Sequence, residues 1–404
     1  MIPAEVPSAL SLDERDPLRS FKSRFVPAAD DVAYLDGNSL GRLPVSTPPR
    51  LAEIVKQWGE RLIRGWEEGW LELPLTLGNR LGASLLGAQA GEVALAESTT
   101  VCLYKLASAA LDARPERSEI VTDRDNFPTD RYVLEGLAES RGLRIRWIET
   151  GAELGPRPAD VAAVVGPETA LVALSHVAYR SAFLLDMAGI STVAREAGAL
   201  ILWDLSHSVG VIPIALESDG ADLAVGCTYK YLNSGPGAPA FLYVRAEHQR
   251  ALRQPIWGWL GRRDPFSMAQ GYEPAAGIGA MLSGTPPIIA LTAVSAGLDL
   301  VVEAGIDAVR AKAMALGDFV IARHEEWLAP LGVKLGSPYA AAERGGHVAL
   351  VHPDAAGLCR ALAIRGVIVD FRPPDIIRVG LSPLSTSFAD AERGLAELRD
   401  LLTN

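Results

Sequence analysis

Cysteine is scarce in this 404-residue chain: Cys102, Cys227 and Cys359 stand far apart and without CxxC spacing. That excludes a disulfide framework and a thiolate zinc site, and fits a reducing, cytoplasmic compartment. No uninterrupted apolar run reaches the roughly 18 residues of a membrane span, so none is expected. The opening residues carry Glu5, Asp13, Glu14, Arg15 and Asp16, where a secretory signal would have a basic stretch followed by an apolar one, so no such signal is expected. Basic residues are in deficit, with 38 Lys and Arg against 49 Asp and Glu for a net charge of −11. That argues against general nucleic-acid or anionic-membrane binding and leaves room only for a local basic pocket. No period of roughly 20–50 residues recurs, which sets aside solenoids and propellers. The remaining composition, 49% hydrophobic and 22% charged, is that of a folded protein, and the length corresponds to about two or three domains.

What recurs is alternation. Short apolar, β-branched runs (Val93 to Ala96, Glu119 to Thr122, Leu143 to Ile148, Ala170 to Leu174, Ala199 to Trp203, Leu223 to Gly226, Ala240 to Val244) are separated mostly by amphipathic stretches of helical length. This order predicts an α/β fold: βαβ units around a mainly parallel seven-stranded sheet with helices on both faces, and ligands at the carboxyl ends of the strands. Between about Trp257 and Pro287 the pattern fades into a stretch rich in Gly, Pro and aromatics, too long for an idle connection. A helical region from Ile288 to about Trp327, redirected near Gly305, leads into a smaller α/β part with strands near His347 to Val351, Val367 to Asp370 and Ile376 to Val379. The expected organisation is an N-terminal segment, 1–45, packing on both domains, then a large domain, 46–287, and a small C-terminal domain, 288–404.

Chemistry concentrates in ALILWDLSHSVG (Ala199 to Gly210) and DLAVGCTYKYLNSGPGAPAFLYV (Asp222 to Val244). Asp204 follows one strand and Lys230 the next. A lysine that can form a Schiff base, beside a carboxylate that can hold a pyridine nitrogen protonated, suits pyridoxal phosphate. Ser98-Thr99-Thr100 opens a helix after the strand Val93 to Ala96, where hydroxyls and free amides bind phosphate, although an ordinary N-cap gives the same pattern. Phe127, in the run Asn126 to Asp130, can stack on a flat ring; the same run alone reads equally as a turn.

Taken in order, YLDGNSLG, RLIRGW, NFPTD, LWDLSHSVG, GCTYKYLN, GPG, GTPPI and IIRVGLSPL resemble kynureninase, a family of the aspartate-aminotransferase fold (fold type I) of pyridoxal-phosphate enzymes, over nearly the whole chain. The resemblance implies pyridoxal 5'-phosphate as cofactor, and hydrolysis of the Cβ–Cγ bond of L-kynurenine, or a ring-substituted analogue, to anthranilate and L-alanine. The kynurenine pathway of tryptophan catabolism and NAD biosynthesis is its implied setting. Lys230 matches the Schiff-base lysine and the base at Cα, Asp204 the partner of the ring nitrogen, and Tyr229 a proton donor or relay. Thr99 and Thr100 match the phosphate-side pair, and Phe127 matches the stacking ring; Asp130 and His207 match residues close to the cofactor. Trp259 and Thr285 match residues donated by the neighbouring subunit, which implies a homodimer with shared sites. Ser39, Trp66, Gly284 and Arg378 match the substrate side, Arg378 gripping the carboxylate with its fork.

Departures fall at Ala178, where Asn is common in the family, and at Arg180-Ser181-Ala182, where Lys-Thr-Gly is common. They bear on substrate preference, for which Trp66 and Gly284 resemble the bacterial type that favours unhydroxylated kynurenine. Other fold-type I reactions, such as a class V aminotransferase or a desulfurase-like lyase, and a catalytically silent scaffold are the alternatives. His248, His324 and His352 read as structural histidines, Trp58, Trp66 and Trp70 as packing at helical spacing outside the resemblance, and Arg262-Arg263 as a solvated pair.

Overall fold

The computed structural model describes residues 7–28, 31–151 and 154–403; the first six residues of the expected N-terminal segment, Glu5 among them, lie outside the described residues. Seven strands, β1 (Val93–Ala96), β2 (Glu119–Asp123), β3 (Arg144–Ile148), β4 (Thr169–Ser175), β5 (Leu200–Asp204), β6 (Leu223–Gly226) and β7 (Ala240–Val244), form one sheet. Their order is β1-β7-β6-β5-β4-β2-β3. Only β7 runs against its neighbours, β1 and β6; all other pairs are parallel. The apolar runs are continuous because both faces of the sheet are buried. Val93, Leu95, Val121, Ile201 and Trp203 point into one core, while Ala94, Ala96, Ile120, Leu200 and Leu202 point into another. The helices Thr99–Asp112 and Pro128–Arg141 cover the second face through Leu103, Leu106, Leu134 and Leu137. Met187 and Ile190 of the helix Met187–Glu196 cover the first.

A second, antiparallel sheet is made of Lys334–Leu335, His347–Val351, Ile376–Gly380 and Asp370–Arg372. The single strand expected near Val367 to Asp370 is divided: Val367–Ile368 pairs in parallel with Ala33–Tyr34, while Asp370–Arg372 joins the antiparallel sheet. The helical region breaks at Gly305, whose φ of 78° ends the helix Ile288–Ala304 before Ile306–Arg323 begins. Leu291, Val294, Leu298 and Val301 of the first helix share the core of the large sheet, as do Val309 and Ala313. From Leu316 to Leu328 the buried apolar residues join the core of the small sheet. The change of chain pattern near residue 288 thus precedes the change of core by about two dozen residues.

The segment before residue 45 touches both parts. Asp36 bridges Gly380, Lys22 pairs with Asp390 at 2.6 Å and Asp16 with Lys312 at 2.6 Å, and the Gly41 amide donates to the Tyr229 carbonyl at 2.8 Å. The stretch from Trp257 to Pro287 contains two short 3-10 turns, Trp259–Gly261 and Gly277–Met281. On the surface of that loop Arg262 donates to Ser267 Oγ at 2.6 Å and Arg263 pairs with Glu273 at 3.2 Å. Among the described residues no single helix is long and apolar enough to cross a membrane.

Candidate active site

The carboxyl ends of β5 and β6 open onto a cavity of about 760 Å³, a usual size for a small-molecule site. Asp204 is the last residue of β5 and lies in register with Val225 of β6. Lys230 follows β6 after a short turn, buried to 9% exposure, and its Nζ lies 2.9 Å from Nε2 of His207. From the sequence-chosen set the cavity wall brings together Thr99, Thr100, Phe127, Asp130, Asp204, His207, Tyr229, Lys230 and Thr285. The residue order explains most of this convergence: Thr99 and Thr100 follow β1, Phe127 and Asp130 follow β2, Asp204 and His207 end or follow β5, and Tyr229 and Lys230 follow β6, so their strand ends share one rim, while Thr285 comes from the long loop.

Local bonding fixes the parts. Ser98 caps the helix Thr99–Asp112 by accepting from the Val101 amide, so the first-turn amides of Thr99 and Thr100 are free of helix partners. Phe127 is held by Asn126, whose Oδ1 accepts from the Phe127 amide at 2.8 Å and from Ser175 Oγ at 2.6 Å. Lys230 Nζ stands 5.8 Å from the centre of the Phe127 ring, and Tyr179 meets that ring edge-on at 5.3 Å. The Ser206 amide donates to Asp204 Oδ1 at 2.8 Å.

Burial sorts the protonation states. Asp130 is held well above the usual carboxylate range, first by burial and then by the charge of Asp204, to which it is hydrogen-bonded. Burial and the facing charge of Asp204 both favour the protonated form of Asp130. His207 is pushed well below its usual value by burial, with the charges of Lys230 and Arg378 adding, so its neutral ring can accept a hydrogen bond from Lys230. Burial chiefly, and Cys227 beside it, raise Tyr229 and keep its phenol protonated.

Four chosen residues and Trp259 stand outside the lining of this single-chain cavity. Arg378, 1% exposed, lies on the small sheet and donates to the Tyr179 carbonyl at 2.7 Å and to Ser39 Oγ at 3.1 Å. It also pairs with Asp370, which accepts from Ser39 Oγ at 2.7 Å. Trp66 packs edge-on against Trp70 and Trp259, at 5.5 and 6.4 Å, and Gly284 is exposed. Thr285 faces the cavity of its own chain, whereas the resemblance assigns it to the neighbouring one. The departing segment lies beside Arg378: Tyr179 is that arginine's acceptor, Arg180 donates to the Pro373 carbonyl at 3.1 Å, and Ala182 adopts φ 64°.

Glu97, Thr129, Ser206 and Pro239 also line the cavity and were missed, as was Asp370. Ser206 had a signal, two residues past Asp204; Asp370 had none, because its partner Arg378 is set by cross-strand register. His248 pairs with Asp222 at 2.8 Å across 26 residues of sequence, a neighbour that no local spacing marks. His324 meets the Val333 carbonyl at 3.0 Å, and His352 Nδ1 accepts from the Asp354 amide at 3.1 Å.

Comparison with known proteins bears on the chain as a whole. Residues 309–398 match the family model of the kynureninase C-terminal domain. A kynureninase of Burkholderia pseudomallei (strain 1106a) is 44% identical over 402 residues, 98% of this chain and 94% of its own length. The chain belongs to the kynureninase family. A kynureninase of Pseudomonas fluorescens is 42% identical over 405 residues, 98% of this chain and 95% of its own. Among solved structures, the apo cysteine desulfurase of Thermococcus onnurineus NA1 superposes with a TM-score of 0.80 at 18% identity, covering 100% of both chains. C-DES with glycine covalently linked to its PLP cofactor gives 0.84 at 17% identity, over 94% of this chain and 99% of that one. These likenesses establish the fold, fold type I. The family-model match begins inside the helix Ile306–Arg323, close to where the buried core changes from the large sheet to the small one.

Proposed function

We propose that this kynureninase-family enzyme uses pyridoxal 5'-phosphate to hydrolyse the Cβ–Cγ bond of L-kynurenine, or of a ring-substituted analogue, to anthranilate and L-alanine. The observation that carries the reading is one cavity lined by Lys230, Asp204, Phe127 and the helix start at Thr99 and Thr100. The donor set fits the cofactor: hydroxyls and amides at the N-terminus of a 14-residue helix for the phosphate, a carboxylate for the ring nitrogen, an aromatic face, and a lysine as the point of attachment. When bound, the cofactor supplies an electron sink that stabilises negative charge at the substrate's Cα.

The chain's own residues do the rest. Lys230 would remove the Cα proton of the substrate, with neutral His207 accepting from its Nζ and orienting it. Asp204 holds the proton of the ring nitrogen. Tyr229, kept protonated by burial, donates toward the substrate carbonyl. Arg378 takes the α-carboxylate; its Nε has no partner among the described residues. The enzyme is a homodimer with sites completed across the interface, a reading supported by the exposure of Trp257, Phe266, Met268 and Ile289 in and beside the stretch that carries Thr285.

The fold neighbours raise a desulfurase as the second reading. It needs a reactive thiolate in the cavity, yet no cysteine lines it, and burial pushes the thiols of Cys102 and Cys359 up to about 12 and raises that of Cys227. The deciding experiment is turnover of L-kynurenine beside 3-hydroxy-L-kynurenine and L-cysteine, with product identification. Anthranilate and alanine in equal amounts are expected. Trp66 offers an apolar edge and Gly284 no side chain to a ring hydroxyl, so L-kynurenine should be favoured roughly ten- to hundredfold in kcat/KM. Release of sulfide from L-cysteine without cleavage of either kynurenine would reverse the assignment.

A further inference from the structure

Lys105 is absent from the cavity wall, yet it lies beneath it. It sits inside the helix Thr99–Asp112, its side chain is fully buried, and its Nζ donates to Glu97 Oε1 at 2.9 Å and to the Met281 carbonyl at 3.2 Å. Burying an ammonium is costly unless it is paired and hydrogen-bonded, so these two acceptors account for its tolerance but not for its presence. Glu97 supplies the reason. It is the residue between β1 and the cap Ser98, it adopts φ 52°, a conformation disfavoured for a residue with a side chain, and it lines the cavity. A bare carboxylate there faces the same space as the helix N-terminus that would receive a phosphate.

We propose that Lys105 is a positioning residue for the phosphate end of the cofactor. The inference rests on the pyridoxal-phosphate reading of the cavity. Lys105 neutralises Glu97, which would otherwise repel a dianion, and it ties together the two walls that flank the anion. One wall is the turn from Glu97 to Thr100. The other is the 3-10 turn ending at Met281, four residues before Thr285. The Glu97 backbone is pinned as well, its carbonyl accepting from the Ala240 amide at 2.9 Å. Lys105 itself touches neither substrate nor cofactor.

The test uses the full-length protein stripped of cofactor and titrated with pyridoxal 5'-phosphate and, separately, with pyridoxal, which lacks the phosphate. Binding is read by protein fluorescence. Lys105→Met should weaken pyridoxal phosphate roughly ten- to hundredfold, the range of one lost charge-assisted interaction, and leave pyridoxal nearly unchanged. Adding Glu97→Gln to Lys105→Met removes the unpaired carboxylate and should restore most of the lost affinity. Equal affinity of wild type and Lys105→Met for pyridoxal phosphate overturns the inference. So does equal weakening of both ligands with no recovery in the double variant, because that pattern marks general damage to the fold. Wild-type protein that binds no pyridoxal phosphate would instead strike the cofactor reading, a distinguishable result. If Lys105→Met does not fold, the single variant Glu97→Gln decides: unchanged or tighter phosphate-dependent binding supports the neutralising role, and a hundredfold loss refutes it.

Discussion

At Asp204 and Asp130 two carboxyls meet under one roof and are asked to do different things. Asp130 is held above the carboxylate range by burial and by the charge of Asp204, so it already behaves as a neutral hydrogen-bonding group, whereas the role proposed for Asp204 needs its charge. Asparagine imitates a protonated carboxyl and cannot imitate an ionised one. Asp130→Asn should therefore keep kcat within about tenfold of wild type, while Asp204→Asn lowers it by roughly 10²–10⁴-fold with the fold retained. Steady-state kinetics with circular dichroism on both variants checks this, and equal losses would contradict the division of roles. This pair also shows what sequence could reveal at this scale. Asp204 and Lys230 were legible because each ends or follows an apolar run whose type is unmistakable. Asp370 was not, since its importance comes from facing Arg378 across two strands, and Glu97 was not, since its backbone angle leaves no trace in residue order.

Among the elements, the helix Ile288–Ala304 governs the loop that carries Lys230. Its Gly297 lies so close to that loop that an added Cβ would come within 1.7 Å of the Leu232 carbonyl oxygen, with no flexible side chain to yield. Gly297→Ala must push helix and loop apart. An overpacking cost of about 1–3 kcal/mol is expected, and kcat should fall because Lys230 stands two residues before Leu232. Gly59→Ala is the control, in the helix Thr47–Arg61 with nothing within 4 Å of the added carbon; it should be neutral or stabilising by about 0.5–1 kcal/mol. Thermal melts and activity of the two variants test the contrast, and equal behaviour would show that the contact is slack. The strands themselves were readable because sheets buried on both faces write continuous apolar runs. The split at Val369 was not, because the partner of Val367–Ile368 is Ala33–Tyr34, more than 300 residues away, and local pattern carries no such information. Nor did the sequence disclose that the helix Ile288–Ala304 belongs to the core of the large sheet, since an apolar helix reads the same whichever core it enters.

For the whole molecule, the pH dependence of stability sets buried histidines against buried carboxyls. Burial lowers His176 and His347 to about 3 and His207 well below its usual value, with Arg310, Arg378 and Lys230 respectively the largest charge contributions. Near pH 6.5 the unfolded chain gains protons that these folded sites refuse, so their stabilisation is lost as pH falls through that value. Asp36 and Asp123, raised to about 6 chiefly by burial, and Asp130, raised well above its usual range by burial and by Asp204, bind protons in the folded state and act in the opposite sense. From pH 7 to 5 His176 should remove about 2 kcal/mol by itself, so His176→Gln should lose about 2 kcal/mol less than wild type over the same interval, whatever the balance of the other groups. Denaturant titration of wild type and His176→Gln at the two pH values measures it, and equal changes in the two proteins would show that His176 is not held neutral. Assembly is the remaining property at this scale, and here the sequence and the single chain point different ways: the resemblance assigns Thr285 to the neighbouring site, while the residue lines the cavity of its own chain. A two-fold interface brings the same stretch of both chains together, and the exposed Trp257, Phe266, Met268 and Ile289 are apolar surface of the kind such an interface covers. Lys230→Ala removes the proposed attachment point, and Thr285→Asp sets a negative charge against the proposed phosphate site, so each variant alone should be inactive. In a mixed dimer with shared sites, one site combines both lesions and the other has neither, so random reassortment should recover about a quarter of wild-type activity. If Thr285 serves only its own chain, every mixed site keeps one lesion and mixing recovers nothing.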